Sequence, residues 1–257
     1  MVQAVFFDVD GTLLSHTQHL VPASTRRALD QLREQGIQRV LATGRHMLEL
    51  NKLPLKDIDF DGYITLNGQL CLDAQGNVIS SNPITGISKE ALLHLFEEKT
   101  VPVLLVEKDA MYCNFVNQSV VTAQQAISTP IPDVGAYTGS EIYQTTIFLE
   151  KENEDILSSQ LSGCKIMRWN DYAVDVISRQ GGKASGIMAY LRFQHIPRED
   201  SMAFGDGEND IEMLQYVQTG IAMGNADDLV KSKADFVTDT IDRDGVQKAL
   251  IQLGILK

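Results

Sequence analysis

Apolar and polar positions fall along this chain in blocks that read as short buried strands separated by amphipathic helices. Residues 4–7 form an unbroken apolar run, the pattern of a strand covered on both faces. Residues 22–35 read as a helix with Pro22 near its first turn, Leu29 and Leu32 on one face, and Gly36 as its stop. A second strand is predicted at 37–41 and a third at 63–66. The turn pair Asn67-Gly68 follows, leading into a short strand pair around 70–72 and 78–79. The alternation returns after residue 183, with helices predicted at 183–193, 209–216 and 227–232 and strands at 201–204, 220–223 and 236–237. Short strands separated by helices predict a parallel sheet covered on both faces.

Between about residues 82 and 182 the texture changes. Helices are predicted at 88–99 and 153–161, among consecutive strand-like runs at 103–106, 111–116, 142–149, 165–169 and 173–177. Strands that follow one another predict an antiparallel sheet backed by helices. The expected fold class is therefore α/β: a Rossmann-like parallel-sheet core from residues 1–82 and 183–257, interrupted by one large α+β domain at 83–182.

Charge narrows the range of partners. A net charge of -12 argues against nucleic acid, because a phosphate backbone needs a basic footprint. A small phosphorylated substrate is still compatible, provided that positive charge is imported locally by a metal or a placed lysine. No apolar run approaches the roughly 20 residues needed to span a bilayer, and the first residues lack the pattern of a signal peptide. Cys71, Cys113 and Cys164 are scattered, odd in number and without metal-like spacing. Together these features predict a cytoplasmic protein with neither a membrane nor a nucleic acid as partner.

The chemistry concentrates where predicted strands end. Asp8-Val9-Asp10-Gly11 directly follows the run Val5-Phe6-Phe7. Side chains at i and i+2 share one side of a strand, so Asp8 and Asp10 are expected to project together. Gly11 frees the backbone to turn, and the Thr12 hydroxyl can tie the turn down. Two adjacent like charges at the end of a buried strand cost free energy unless a cation or a shared proton compensates. Thr43-Gly44-Arg45 closes the second strand, and Lys183 stands at the end of the insert. Gly205-Asp206-Gly207-Glu208-Asn209-Asp210 follows apolar Ala203-Phe204. Asn209 or Asp210 can cap the next helix, but capping needs only one of them, and the other acids have no structural use there. In an open parallel sheet, ligands bind at the carboxyl ends of the strands. Asp8, Asp10 and Asp206 offer hard oxygen ligands suited to Mg2+. Thr43 offers a hydroxyl and neighbouring amides, and Lys183 a point charge. The set reads as a metal-neutralised phosphate site in an acidic protein.

These motifs, taken in order with Ala222-Met223-Gly224-Asn225-Ala226, resemble the haloacid dehalogenase superfamily, and more narrowly its Cof-type sugar-phosphate phosphatases. The resemblance implies that Asp8 is a nucleophile forming an aspartyl phosphate, and that Asp10 protonates the leaving alcohol and then activates water. It implies that Thr43, Gly44, Lys183 and Asn209 hold the phosphoryl group. Asp206 would hold Mg2+ together with Asp8 and the main-chain carbonyl of Asp10, with Asp210 in support. Arg45 and Asn67 become candidate phosphate or substrate contacts, although Asn67-Gly68 also reads simply as a turn and Arg45 as a structural ion pair. The inserted domain would act as a cap that selects the leaving group of a small phosphorylated metabolite, a sugar phosphate above all. Physical reasoning gives the acid role to Asp10, as a carboxylate off the metal and near other acids.

Two other readings share some of these residues. A phosphomutase would pass the aspartyl phosphate to a second hydroxyl instead of to water. A phospho-accepting receiver domain also combines acids, a Thr and a Lys, but is about half this length and carries its phosphorylated Asp on the third strand. A Walker loop around Gly182-Lys183 is excluded, because Ile177 stands where the first glycine belongs and Ala184 replaces Ser/Thr.

Overall fold

The N-terminal apolar run forms β1 (Ala4–Phe7), from which an eight-stranded sheet grows in both directions. The computed structural model describes residues 1–127, 129–153, 157 and 160–257. The chain divides into two units, Met1–Ser80 with Gly182–Lys257, and Ser81–Gly181. The first is a Rossmann-like α/β core and the second an inserted α+β domain.

On one side of β1 lie β2 (Gln38–Ala42), β3 (Gly62–Thr65), β4 (Leu70–Asp73) and β5 (Val78–Ser81). On the other lie β11 (Ser201–Gly205), β12 (Thr219–Ala222) and β13 (Phe236–Val237). All pairings from β13 across to β3 are parallel, and β4 returns antiparallel to β3. The chain leaves β1 towards β2 and comes back much later on the opposite side at β11. The carboxyl end of β1 is therefore the switch point of strand order, the place where ligands bind in an open parallel sheet.

Side-chain alternation along β1 divides its apolar residues between two layers. Val5 and Phe7 point into a core shared with Leu29 and Leu32 of the helix Ala23–Glu34 and with Val246 and Leu250 of the helix Gly245–Gln252. Ala4 and Phe6 point the other way, into a core with Ile187 and Tyr190 of the helix Lys183–Phe193 and with Met213 and Leu214 of the helix Ile211–Tyr216. Phe7 stacks on Phe204 of β11 with ring centroids 5.3 Å apart, and Phe6 meets Tyr190 edge-on at 5.9 Å. Aromatic pairs on both faces hold β1 in place below the residues that follow it.

The expected strands of the core appear within a residue or two of their predicted ends. The helix at 245–252 was not read from the pattern, nor were the short helix Met47–Leu50 and the polar helix Gln118–Ala126. The turn pair Asn67-Gly68 joins antiparallel β3 and β4, in which Thr65 pairs with Leu70. It lies in a 3-10 turn, Leu66–Gly68, in which both Leu66 and Asn67 have φ of 53°. Gly68 has φ of +80°, and a Cβ there would stand 2.0 Å from the carbonyl oxygen of Gly182. Only glycine lets this turn press against the backbone that leads into Lys183.

The inserted domain is a five-stranded antiparallel sheet in the order β7 (Met111–Cys113), β6 (Val103–Val106), β8 (Gln144–Ile147), β10 (Ala173–Ser178), β9 (Cys164–Asn170). Leu92 and Phe96 of the helix Gly86–Glu98 pack on one face of it, with Val103, Leu105, Ile147, Val174 and Val176. The helix expected at 153–161 lies for the most part outside the described residues. Cys71, Cys113 and Cys164 are unpaired and buried. Burial pushes the thiols of Cys71 and Cys113 up to about 12. Among the described residues, no helix is long and apolar enough to cross a membrane.

Candidate active site

Three parallel strands, β1, β2 and β11, end side by side and deliver the polar residues to one place. Lys183 arrives at the first residue of its helix. It is almost fully buried, and its Nζ donates to Asp8 Oδ1 and to Asp210 Oδ1, each at 2.6 Å. Burial works against the charge of Lys183, but the carboxylates of Asp210 and Asp8 outweigh it and hold the ammonium above its ordinary range. Asp210 is completely buried. Its Oδ2 accepts from the amides of Asp206 and Gly207, both at 2.9 Å. The carboxylate thus ties the loop back on itself and does not cap the helix Ile211–Tyr216. Expected only to support the site, Asp210 shares the Lys183 ammonium with Asp8.

Asp206 is held by neutral donors. Thr12 Oγ1 donates to Oδ1 at 3.0 Å and Asn225 Nδ2 to Oδ2 at 3.1 Å. A Cβ on Gly11 would lie 2.1 Å from that same Oδ2, so Asp206 sits directly on the turn after β1. Asp8, Asp206 and Asp210 each place a carboxylate oxygen within 4.8 Å of the others. Burial, followed by repulsion from Asp210, raises the Asp8 carboxyl well above its usual range, with Lys183 pulling the other way. The same two causes push Asp206 up to about 7, against the Thr12 hydrogen bond and Lys183.

Asp10 departs from expectation. It does not stand among acids alone: Arg45 grips it as a fork, Nε to Oδ2 at 2.6 Å and Nη2 to Oδ1 at 2.7 Å. Arg45, expected to touch phosphate or substrate or to form a structural ion pair, is thus a bidentate partner of Asp10. The Asp10 carboxylate is accordingly absent from the three-carboxylate group. Thr43 is buried, its Oγ1 accepting from the Arg45 amide at 3.1 Å. Gly44 faces the Asn67 side chain, whose Oδ1 accepts from Asn209 Nδ2 at 3.1 Å. Asn67 is therefore both a turn residue and a member of the polar cluster. The part of Thr12 and Asn225 in holding Asp206 was missed, since it depends on residues about 200 positions apart in the chain for Thr12.

Three clustered carboxylates against one ammonium leave two negative charges in a half-buried space. Hard oxygen donors with that excess suit a divalent cation of the Mg2+ type. One consequence concerns stability. The folded-state pKa of Asp8 and Asp206 lies above the unfolded value, so the native state keeps protons that the unfolded chain has already lost, for Asp206 between about pH 4 and 7. Stability without metal is expected to fall as pH rises through that window. A bound cation requires the ionised forms and removes the loss. Thermal unfolding in EDTA and in saturating Mg2+ is expected to show a difference that widens from pH 5.5 to 7.5. At a hundred times Kd it reaches about 2.7 kcal/mol, or roughly 5–10 °C. A gap that is constant with pH would contradict this.

A carboxylate at the end of β1, a buried lysine beside it and a metal-suited acid group at the switch point of a Rossmann-like sheet define a phosphoryl-transfer hydrolase site acting through aspartates. The chain belongs to the haloacid dehalogenase-like hydrolase family, whose model matches residues 5–250. A Bacillus subtilis (strain 168) protein with the provisional name phosphatase YkrA is 34% identical over 256 residues, covering 98% of each chain. Among solved structures, the superfamily phosphatase BT1666 from Bacteroides thetaiotaomicron superposes with a TM-score of 0.88 at 33% identity, covering 100% of this chain and 96% of its own. The subclass IIB sugar phosphatase BT4131 superposes with a TM-score of 0.88 at 34% identity, covering 99% of this chain and 100% of its own.

Proposed function

We propose that this protein is a Mg2+-dependent phosphomonoesterase of the Cof type, hydrolysing small phosphorylated metabolites, sugar phosphates among them, in the cytoplasm. The observation that carries the reading is the Lys183 ammonium bridging Asp8 and Asp210 at 2.6 Å, beside Asp206, at the carboxyl end of β1. The sugar phosphatase BT4131, similar over its whole length, supports the substrate class.

In this reading, Asp8 attacks phosphorus, the bond to the leaving oxygen breaks, and Asp10 supplies the proton that the departing alcohol needs. Asp10 then takes a proton from water, which attacks the same phosphorus and releases phosphate and free Asp8. Lys183, the Thr43 hydroxyl, the Gly44 amide and Asn209 stabilise the equatorial oxygens. Arg45 fixes the plane of the Asp10 carboxylate through both steps. Asp8, Asp206 and the main-chain carbonyl of Asp10 would hold Mg2+, with Asp210 orienting the loop. The bound cation would supply charge neutralisation between nucleophile and phosphate. The inserted domain would select the leaving group.

The test is phosphate release from a panel of phosphorylated metabolites with Mg2+ or EDTA. Release that requires Mg2+ is expected, with hexose and pentose phosphates among the better substrates. Transfer products in place of free phosphate would favour a mutase. No turnover by folded protein on any phosphomonoester would overturn the reading.

A further inference from the structure

Asn225 faces solvent, yet both ends of its side chain are spent on protein rather than water. Its Nδ2 donates to the Gly11 carbonyl at 2.9 Å and to Asp206 Oδ2 at 3.1 Å. Its Oδ1 accepts from the Ile241 amide at 3.1 Å. One side chain thus joins the turn after β1, the acidic loop after β11 and the 3-10 turn Ile241–Arg243. An exposed asparagine that served only to shape its own loop would have no need to reach these three segments.

The three clustered carboxylates are held in two different ways. Asp8 and Asp210 rest against the Lys183 ammonium, which cancels part of their charge. Asp206 rests between the Thr12 hydroxyl and the Asn225 amide, one on each oxygen. Neutral donors fix the plane of a carboxylate while leaving its negative charge available to a cation. The Gly11 contact completes the seat, because Oδ2 lies where a side chain at that position would begin. Asn225 also holds the carbonyl of Gly11, the residue next to Asp10. The same amide group therefore fixes the direction of Asp206 and the course of the main chain on which Asp206 sits.

We propose that Asn225 is a positioning residue that sets divalent-cation affinity by orienting Asp206 against the Gly11 turn. The inference rests on the metal-dependent reading given under Proposed function. Partners of this kind typically govern about ten- to a hundred-fold in metal affinity.

The experiment is direct binding of Mg2+ by calorimetry, and of Mn2+ by electron paramagnetic resonance, to the full chain without substrate. The proteins compared are wild type, Asn225→Ala, Asn225→Asp and Asp206→Asn, with thermal unfolding in EDTA measured in parallel. Asn225→Asp keeps an oxygen that accepts from Ile241 and replaces the donor with a charged oxygen that repels Asp206, so it retains the loop anchor if Asn225→Ala fails to fold. Both Asn225 variants are expected to bind the cation at least about tenfold more weakly, and Asp206→Asn to bind none. Wild-type affinity in folded Asn225→Ala, or affinity at or above wild type in Asn225→Asp, overturns the inference even if unfolding temperatures drop. In that case wild type would still bind and Asp206→Asn would not, so the metal reading survives. Absence of binding by wild type would overturn both.

Discussion

Asp8→Asn is expected to abolish turnover and to make the metal-free protein more stable. On the proposed mechanism the rate of phosphate release should fall at least about a thousandfold, because the amide cannot form the acyl phosphate. Acid-quenched enzyme should carry no phosphate. Stability should move the other way. The Asp8 carboxylate is buried against Asp210, and both effects raise its pKa, so its charge is a cost to the folded state at neutral pH. Removing that charge while leaving Lys183 its pair with Asp210 should gain about 1–2 kcal/mol in EDTA at pH 7.5. The gain should shrink towards pH 5, where the wild-type carboxyl increasingly keeps its proton. A variant that is inactive but less stable at pH 7.5 would show that Asp8 is held by favourable contacts, contrary to this account.

Lys183→Met should be the most damaging substitution in the core domain. It leaves Asp8 and Asp210 facing one another without the cation they share, where Asp210 is fully buried and Asp8 nearly so. Loss of one partner from a buried ionic group costs about 3–5 kcal/mol. On the proposed mechanism, loss of this charge should lower kcat a further hundredfold or more in whatever protein remains folded. Lys183 is one of the groups that keep the Asp8 and Asp206 carboxyls from rising further. Without it, stability should decline more steeply as pH rises through neutrality, and both acid and Mg2+ should restore part of it. Unfolding temperatures in EDTA at pH 5.5 and 7.5 decide the matter. An equal loss at both values would mean that Lys183 contributes packing and not charge.

Some parts of this molecule could be read from its sequence for a definite physical reason. Asp8, Asp10 and Asp206 stand out because acids directly behind apolar strands contradict the burial that the strands announce. The two-faced core was visible in the unbroken run at 4–7, since only a strand covered on both sides tolerates one. Other parts depend on register that the chain does not display. The Arg45 fork on Asp10 exists because β1 and β2 align Phe7 with Leu41, which brings the residues after each strand together. Asp210 looked like one acid among several, because nothing local shows its two oxygens dividing between a lysine and two amides. The antiparallel return of β4 follows from left-handed backbone at Leu66 and Asn67, a conformation that Leu66 does not advertise. The inserted domain has legible strands but no legible motif, since an antiparallel sheet with one packed face is announced by alternation alone.

The placement of β1 also bears on how the protein is made. Its neighbour β2 is synthesised within a few dozen residues, whereas its other neighbour, β11, follows about 200 residues later. At about 5–20 residues per second, the ribosome leaves that edge of β1 without its partner for roughly 10–40 s. Throughout that interval the nascent chain displays Phe6 and Phe7 while the whole inserted domain emerges and is free to fold as a unit. This wholly apolar strand thus waits for its second neighbour until the inserted domain has been made. Chaperone demand during synthesis should therefore depend on how quickly the segment after residue 181 arrives.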